Sequence, residues 1–211
     1  MKYLFIDASE NLTHIQSGTE KDFVAKTIDT NRDFAAKITE ICDNMLQQQG
    51  WEQKDLTHLV VCTGPGSLTG LRVACGFMRT MAMVLDKPLI GIDLFKWAAR
   101  TAISEGINGE VRFVMPTLID KAFEVKANLA EEKLSEPILI EKTAIASTTE
   151  TFGIRYESPD CKKLMPTPEA LHKLILEAVS EAKTGMNEIL KVLPLYIIPS
   201  QAERKLKEAA K

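Results

Sequence analysis

Nine residues, Gly64-Pro65-Gly66-Ser67-Leu68-Thr69-Gly70-Leu71-Arg72, constrain the fold more than any other stretch of the chain. An apolar run, His58-Leu59-Val60-Val61-Cys62, precedes them and reads as a buried strand, and Leu71 to Leu85 follows as an apolar helix. A strand that turns through glycines into a helix belongs to an α/β protein, and such a turn has two uses. Its amides can cradle a phosphate at the helix N-terminus, or its glycines can let two backbones approach closely. A P-loop requires a lysine after the last glycine, but Leu71 follows Gly70 here and no lysine stands nearby. A dinucleotide-binding turn fits the spacing of Gly64, Gly66 and Gly70, with Asp93 at the end of the next strand. Against it, the turn lies far from the start of the chain, strand–helix alternation stops after Asp93, and Pro65 stiffens the loop. The expectation is therefore a close-packed corner in which Ser67 or Thr69 caps the helix and Gly70 permits close approach.

Around this corner the sequence predicts a three-stranded antiparallel meander from Tyr3–Ile6, Leu12–Gln16 and Phe23–Ile28. Asp29-Thr30-Asn31 offers caps to a helix whose apolar face is Phe34, Ala35, Ile38, Ile41, Cys42, Met45 and Leu46, with Gly50 as its stop. Pro88–Ile92 reads as a strand, and Asp93 caps a helix from Leu94 to Ser104. Gly106 to Glu110 reads as a linker. Beyond it, Val111–Leu118 and Ala122–Leu129 form strands joined at Asp120-Lys121, with further strands at Pro137–Ile140 and Phe152–Tyr156. Thr167-Pro168-Glu169 starts a helix running to about Lys183. Leu193–Ile198 reads as extended, and the tail as helical. The order of elements repeats in the two halves, which predicts two related α/β lobes, 1–105 and 106–211, with 199–211 a tail helix that packs back on the first.

A net charge of −3 argues against a general nucleic-acid grip by this chain alone. Cys42, Cys62, Cys75 and Cys161 form no paired motif and read as small core residues of a reducing compartment. The apolar start is shorter than a secretory signal, and the chain is expected to be cytoplasmic and free of membrane spans.

Two lobes that each open on a meander with an acidic turn fit the actin, sugar-kinase and heat-shock ATPase superfamily. Asp7 and Asp120 would be the turn acids, which hold magnesium and phosphate in active members. Here Asp7-Ala8-Ser9-Glu10-Asn11 contains no glycine for close phosphate approach and adds the negative Glu10, so the acids read as vestigial.

The nine-residue segment differs at one position from GPGSFTGLR, the signature of the TsaB (YeaZ-type) proteins, which the chain resembles. These are subunits of tRNA threonylcarbamoyladenosine biosynthesis, related to the glycoprotease-like TsaD. Phe5-Ile6-Asp7-Ala8-Ser9, Ile119-Asp120-Lys121-Ala122 with Glu124-Val125, and Pro194-Leu195-Tyr196-Ile197 with Ala202-Glu203 resemble further family segments in the same order. Leu68 replaces the signature phenylalanine, Lys121 an arginine, and Arg32-Asp33-Phe34 stands where a His-Ser pair is frequent. The resemblance implies a non-catalytic activator with two actin-like (ribonuclease H-like) lobes. Such a subunit joins TsaD and the ATPase TsaE in moving a threonylcarbamoyl group from its adenylate to the adenosine beside the tRNA anticodon. It implies no cofactor on this chain, with ATP, ADP and metal held by partner subunits, and tRNA met through the complex. His14, His58 and His172 are too scattered to form the HxxxH metal pair of TsaD.

The helix after the corner is apolar on nearly all sides, interrupted by Arg72, Arg79 and Thr80. One side can pack the sheet and the other a second protein. Leu71, Ala74, Cys75, Met78, Met81 and Met83 are the expected interface, used for a homodimer or a TsaD heterodimer. An ATP-binding kinase-like enzyme of the same fold, and an NAD-binding protein, are the alternatives.

Overall fold

The computed structural model describes residues 1–30, 33–117, 120–145 and 150–195, which fall into two units. The first unit is discontinuous, made of Met1–Ile107 and Met165–Pro194. Its sheet contains β1 (Tyr3–Asp7), β2 (Leu12–Gly18), β3 (Phe23–Asp29), β4 (His58–Gly64) and β5 (Leu89–Asp93), in the order β3-β2-β1-β4-β5. The expected meander is antiparallel, with Phe5 opposite Gln16 and Gln16 opposite Ala25. β1, β4 and β5 run parallel.

Alternation along the strands sets the two faces of the sheet. Leu4, Ile6, Ile15, Leu59 and Val61 share one core with α1 (Phe34–Gln48) and α2 (Leu68–Leu85). Tyr3 and Phe5 point the other way, toward α3 (Leu94–Ser104) and α4 (Pro168–Val179), where Phe5 meets the edge of Trp97 at 5.6 Å. The helix ends follow the capping chemistry in part. Asp93 accepts from the Phe95 and Lys96 amides at 2.7 and 3.2 Å, and Thr167 accepts from Ala170. At α1 the expectation is corrected: the helix begins after Asp33, whose side chain makes no cap bond, while Thr30 contributes its backbone carbonyl to the Asp33 amide. Asn31 lies outside the described residues. Gly50 takes the left-handed conformation (φ 65°) just past the end of α1.

The expected division at 105/106 places α4 in the second lobe, whereas α4 packs in the first unit. Its buried face of Ala170, Leu171, His172 and Ile175 needs an apolar partner. α3 supplies one and fixes the entry, with Trp97 Nε1 donating to the Thr167 carbonyl at 2.7 Å and the Thr167 amide to Thr101 Oγ1 at 3.1 Å. The helix stops short of Lys183. Gly185, at φ 112°, then starts a short α5 (Met186–Lys191) that packs on α2.

The second unit, Asn108–Leu164, has the strand order β11-β10-β6-β7-β8, with β9 also on β7. These strands are β6 (Glu110–Pro116), β7 (Lys121–Asn128), β8 (Lys133–Leu134), β9 (Ile138–Glu141), β10 (Glu150–Ile154) and β11 (Lys162–Leu164). Among its described residues there is no α-helix, only the 3-10 turn Lys142–Ala144. The expected tail helix at 199–211 lies outside the described residues.

Candidate functional site

The corner between β4 and α2 rests on the turn that follows β1. The Gly64–Pro65 bond is cis. The Ser67 amide donates to the Ser9 carbonyl at 2.6 Å, and Ser67 Oγ accepts from the Gly70 amide at 3.4 Å as the N-cap of α2. A Cβ on Gly66 would overlap the Ser9 carbonyl oxygen, and one on Gly70 the Ala8 carbonyl oxygen. Gly64 has φ 102°, a conformation that side chains resist. The glycines are thus taken up by backbone approach, and the Ser67 amide is engaged in a backbone hydrogen bond. Thr69 makes no cap bond and is exposed, as is Arg72.

Asp7 is fully buried and accepts the Ser9 amide at 2.9 Å, so its carboxylate shapes the turn on which the corner sits. Asp120, in the second unit, is exposed, and its carbonyl accepts from the Lys142 amide. The sequence named Asp7 and the glycine segment separately, and the fold puts them together. Nothing in a single sequence signals that contact.

α2 corrects four of the six expected interface residues. Leu71, Ala74, Cys75 and Met78 point into the lobe's own core, while Met81 and Met83 are half-buried. On composition alone α2 is long and apolar enough to cross a membrane, yet this inner stripe is packed on the sheet. Its outer side carries Arg72, Gly76, Thr80 and Val84, the last 78% exposed, flanked by half-buried Val73 and Phe77. A Cβ at Gly76 would meet nothing within 4 Å. Met186 and Leu190 of the adjoining α5 are 54% and 42% exposed. The exposed apolar side chains of this region are thus Val84 on α2 and Met186 and Leu190 on α5, and α2 contains no acidic residue.

The remaining candidate chemistry is tied up in the fold. Burial pushes the thiols of Cys42 and Cys75 up to about 12 and about 11, so both stay protonated. Tyr3 OH meets His172 Nδ1 at 2.9 Å and accepts from Gln16 Nε2 at 2.7 Å, a buried chain the sequence did not reveal. Desolvation lowers the His172 pKa, opposed by the charge of Asp22. His14 bonds Thr27, and His58 bonds Thr57. Among the described residues no three His, Cys, Asp or Glu side chains lie together as a metal set.

A family model described as TsaD: tRNA N6-adenosine threonylcarbamoyltransferase matches residues 27–119, which include the corner and α2. The tRNA threonylcarbamoyladenosine biosynthesis protein TsaB of Buchnera aphidicola (subsp. Schizaphis graminum) is 27% identical over 101 residues, 47% of each chain. The Escherichia coli K12 protein of the same name is 28% identical over 71 residues, 34% of this chain and 31% of its own. The matched stretches therefore span less than half of either curated relative. A Pseudomonas aeruginosa protein described as similar to peptidase YEAZ superposes with TM-score 0.75 at 18% identity, covering 93% of this chain and 99% of its own. The chain is similar to the TsaB (YeaZ-type) proteins. YeaZ from P. aeruginosa gives the same fold at TM-score 0.73 and 17% identity, covering 92% and 99%. In this chain the signature segment is a packing corner, and each of the two units carries a mixed sheet.

Proposed function

We propose that the chain is a non-catalytic activator that docks a TsaD-type transferase. With that transferase and the ATPase TsaE, it serves transfer of the threonylcarbamoyl group from threonylcarbamoyl-adenylate to the adenosine next to the tRNA anticodon. The observation that carries the reading is the outer side of α2, acid-free and with Val84 exposed beside half-buried Val73 and Phe77, together with exposed Met186 and Leu190 on the adjoining α5. Such a surface is costly to leave in water and suits a helix-on-helix contact. The packed corner supports it from the other direction, since glycines committed to Ala8 and Ser9 are unsuited to gripping phosphate. In this proposal ATP, ADP and metal sit on partner subunits, and tRNA is met through the complex. The same surface of a second copy serves as the resting homodimer, in cytoplasm.

Val84→Glu and Thr80→Glu place a charge on the exposed stripe without touching the core. Both are expected to abolish co-purification with the transferase of the same organism and to remove the chain's stimulation of threonylcarbamoyl transfer. Wild-type stimulation by both variants refutes the docking face. Micromolar binding and turnover of Mg-ATP by the isolated chain refutes the non-catalytic role in favour of a kinase-like enzyme.

A further inference from the structure

We propose that Arg79 is the polar anchor of this docking face and takes a carboxylate from the partner protein. The inference rests on the docking role of α2 proposed above. Arg79 stands one helical turn after Cys75, near enough for its charge to act on that thiol, and two turns after Arg72 on the same side of the helix. It is half-buried: its Nε is enclosed by the chain itself without an acceptor, which leaves the Nη edge of the guanidinium as the part a partner can reach. An arginine has five N–H donors and no acceptor, and enclosed donors in folded proteins are paired.

Among the described arginines, Arg112 and Arg100 follow that norm. Arg112 donates to Glu124 and to the carbonyls of Ala144 and Ile145. Arg100 pairs with Glu177 at 2.6 Å. Arg155 Nε is likewise enclosed without an acceptor, but that residue has another interaction elsewhere on its atoms. Among the described residues, none offers Arg79 a hydrogen bond or an ion pair.

Charge decides the occupant. α2 carries two arginines and no acid, so the α2 of a second copy brings no carboxylate and sets arginine stripes against each other. A different protein that presents an Asp or Glu amid apolar side chains satisfies the guanidinium fork and the apolar surface together. Arg79 is then a determinant of which protein docks, while the apolar stripe supplies area without discrimination.

The test is calorimetry of the full chain with the transferase subunit, comparing wild type, Arg79→Met, Arg79→Lys and Val84→Glu, alongside sedimentation of each chain alone. Arg79→Met is expected to weaken the heterocomplex about tenfold or more, with partial recovery in Arg79→Lys, because an ammonium lacks the planar fork. Self-association of Arg79→Met stays as in wild type or strengthens, because one opposed arginine is gone, and its Tm holds or rises because an unpaired donor is gone. Wild-type affinity in Arg79→Met while Val84→Glu fails to bind overturns the anchor and leaves the docking face standing. Wild-type affinity in both variants overturns the face and the anchor together. A lowered Tm in Arg79→Met, or an equal loss of self-association, overturns the anchor in favour of a structural role.

Discussion

Gly70→Ala adds one methyl group where no space exists. The new Cβ would overlap the Ala8 carbonyl oxygen and stand 3.2 Å from its carbon and 3.4 Å from the Ala8 Cβ. A backbone carbonyl cannot rotate away as a side chain can, so the corner must lift off the β1 turn. Overpacking of this kind costs about 1–3 kcal/mol. Lifting the corner also strains the 2.6 Å bond from the Ser67 amide to Ser9 and the Ser67 cap. Each of these contributes about 1 kcal/mol. The gain in helix propensity returns at most about 1 kcal/mol. The net loss is roughly 3 kcal/mol, or about 6–12 °C in Tm for a chain of this size. Gly76→Ala is the control on the same helix: its Cβ meets open space, so propensity acts alone and raises stability by up to about 1 kcal/mol. Thermal and urea unfolding of both variants measures the contrast. If Gly70→Ala melts with or above wild type, the packing account of the corner is refuted, and the segment is free to do something else.

Burial of His172 disfavours its charged form, so its folded pKa lies below the ordinary histidine value. The unfolded chain therefore binds more protons near pH 6, so stability is intact above about pH 6.5 and falls as pH drops below it. His58, lowered in the same direction, adds to the slope, and His172→Gln flattens it in pH-dependent urea unfolding. Tyr3→Phe leaves Gln16 and His172 without their shared partner and costs about 1–3 kcal/mol by the same measurement. Cys42 and Cys75 resist iodoacetamide at pH 8 in the folded chain and react only on unfolding, as mass spectrometry of the alkylated protein would report. A fragment of residues 1–107 lacks α4, exposes Trp97, and binds more of a hydrophobic dye than the whole chain does.

The sequence was most legible where one residue type settles a choice of chemistry. The missing lysine after Gly70 removed a P-loop, and Asp93 and Thr167 announced their helix starts through capping. It was least legible where both sides of an element are apolar. Met78 and Val84 look alike in a hydropathy pattern, yet one is enclosed by the sheet and the other faces solvent. The sheet fixes which side turns inward, and its contacts join residues far apart in the chain. The partner of the glycines was hidden for the same reason, since Ala8 and Ser9 lie nearly sixty residues upstream of the corner. β8 and β11 escaped notice because two or three residues rich in lysine carry no periodicity, and their pairing comes from neighbours already in place.

The return of the chain to its first unit has a consequence for synthesis on the ribosome. The face of the sheet that α4 covers is complete in sequence by residue 107, but its cover arrives only with 165–194. At about 5–20 residues per second, the roughly 90 residues between those points take about 5–18 s to emerge. Through that interval the nascent chain carries an uncovered apolar face. A translational pause within 108–164 prolongs the exposure.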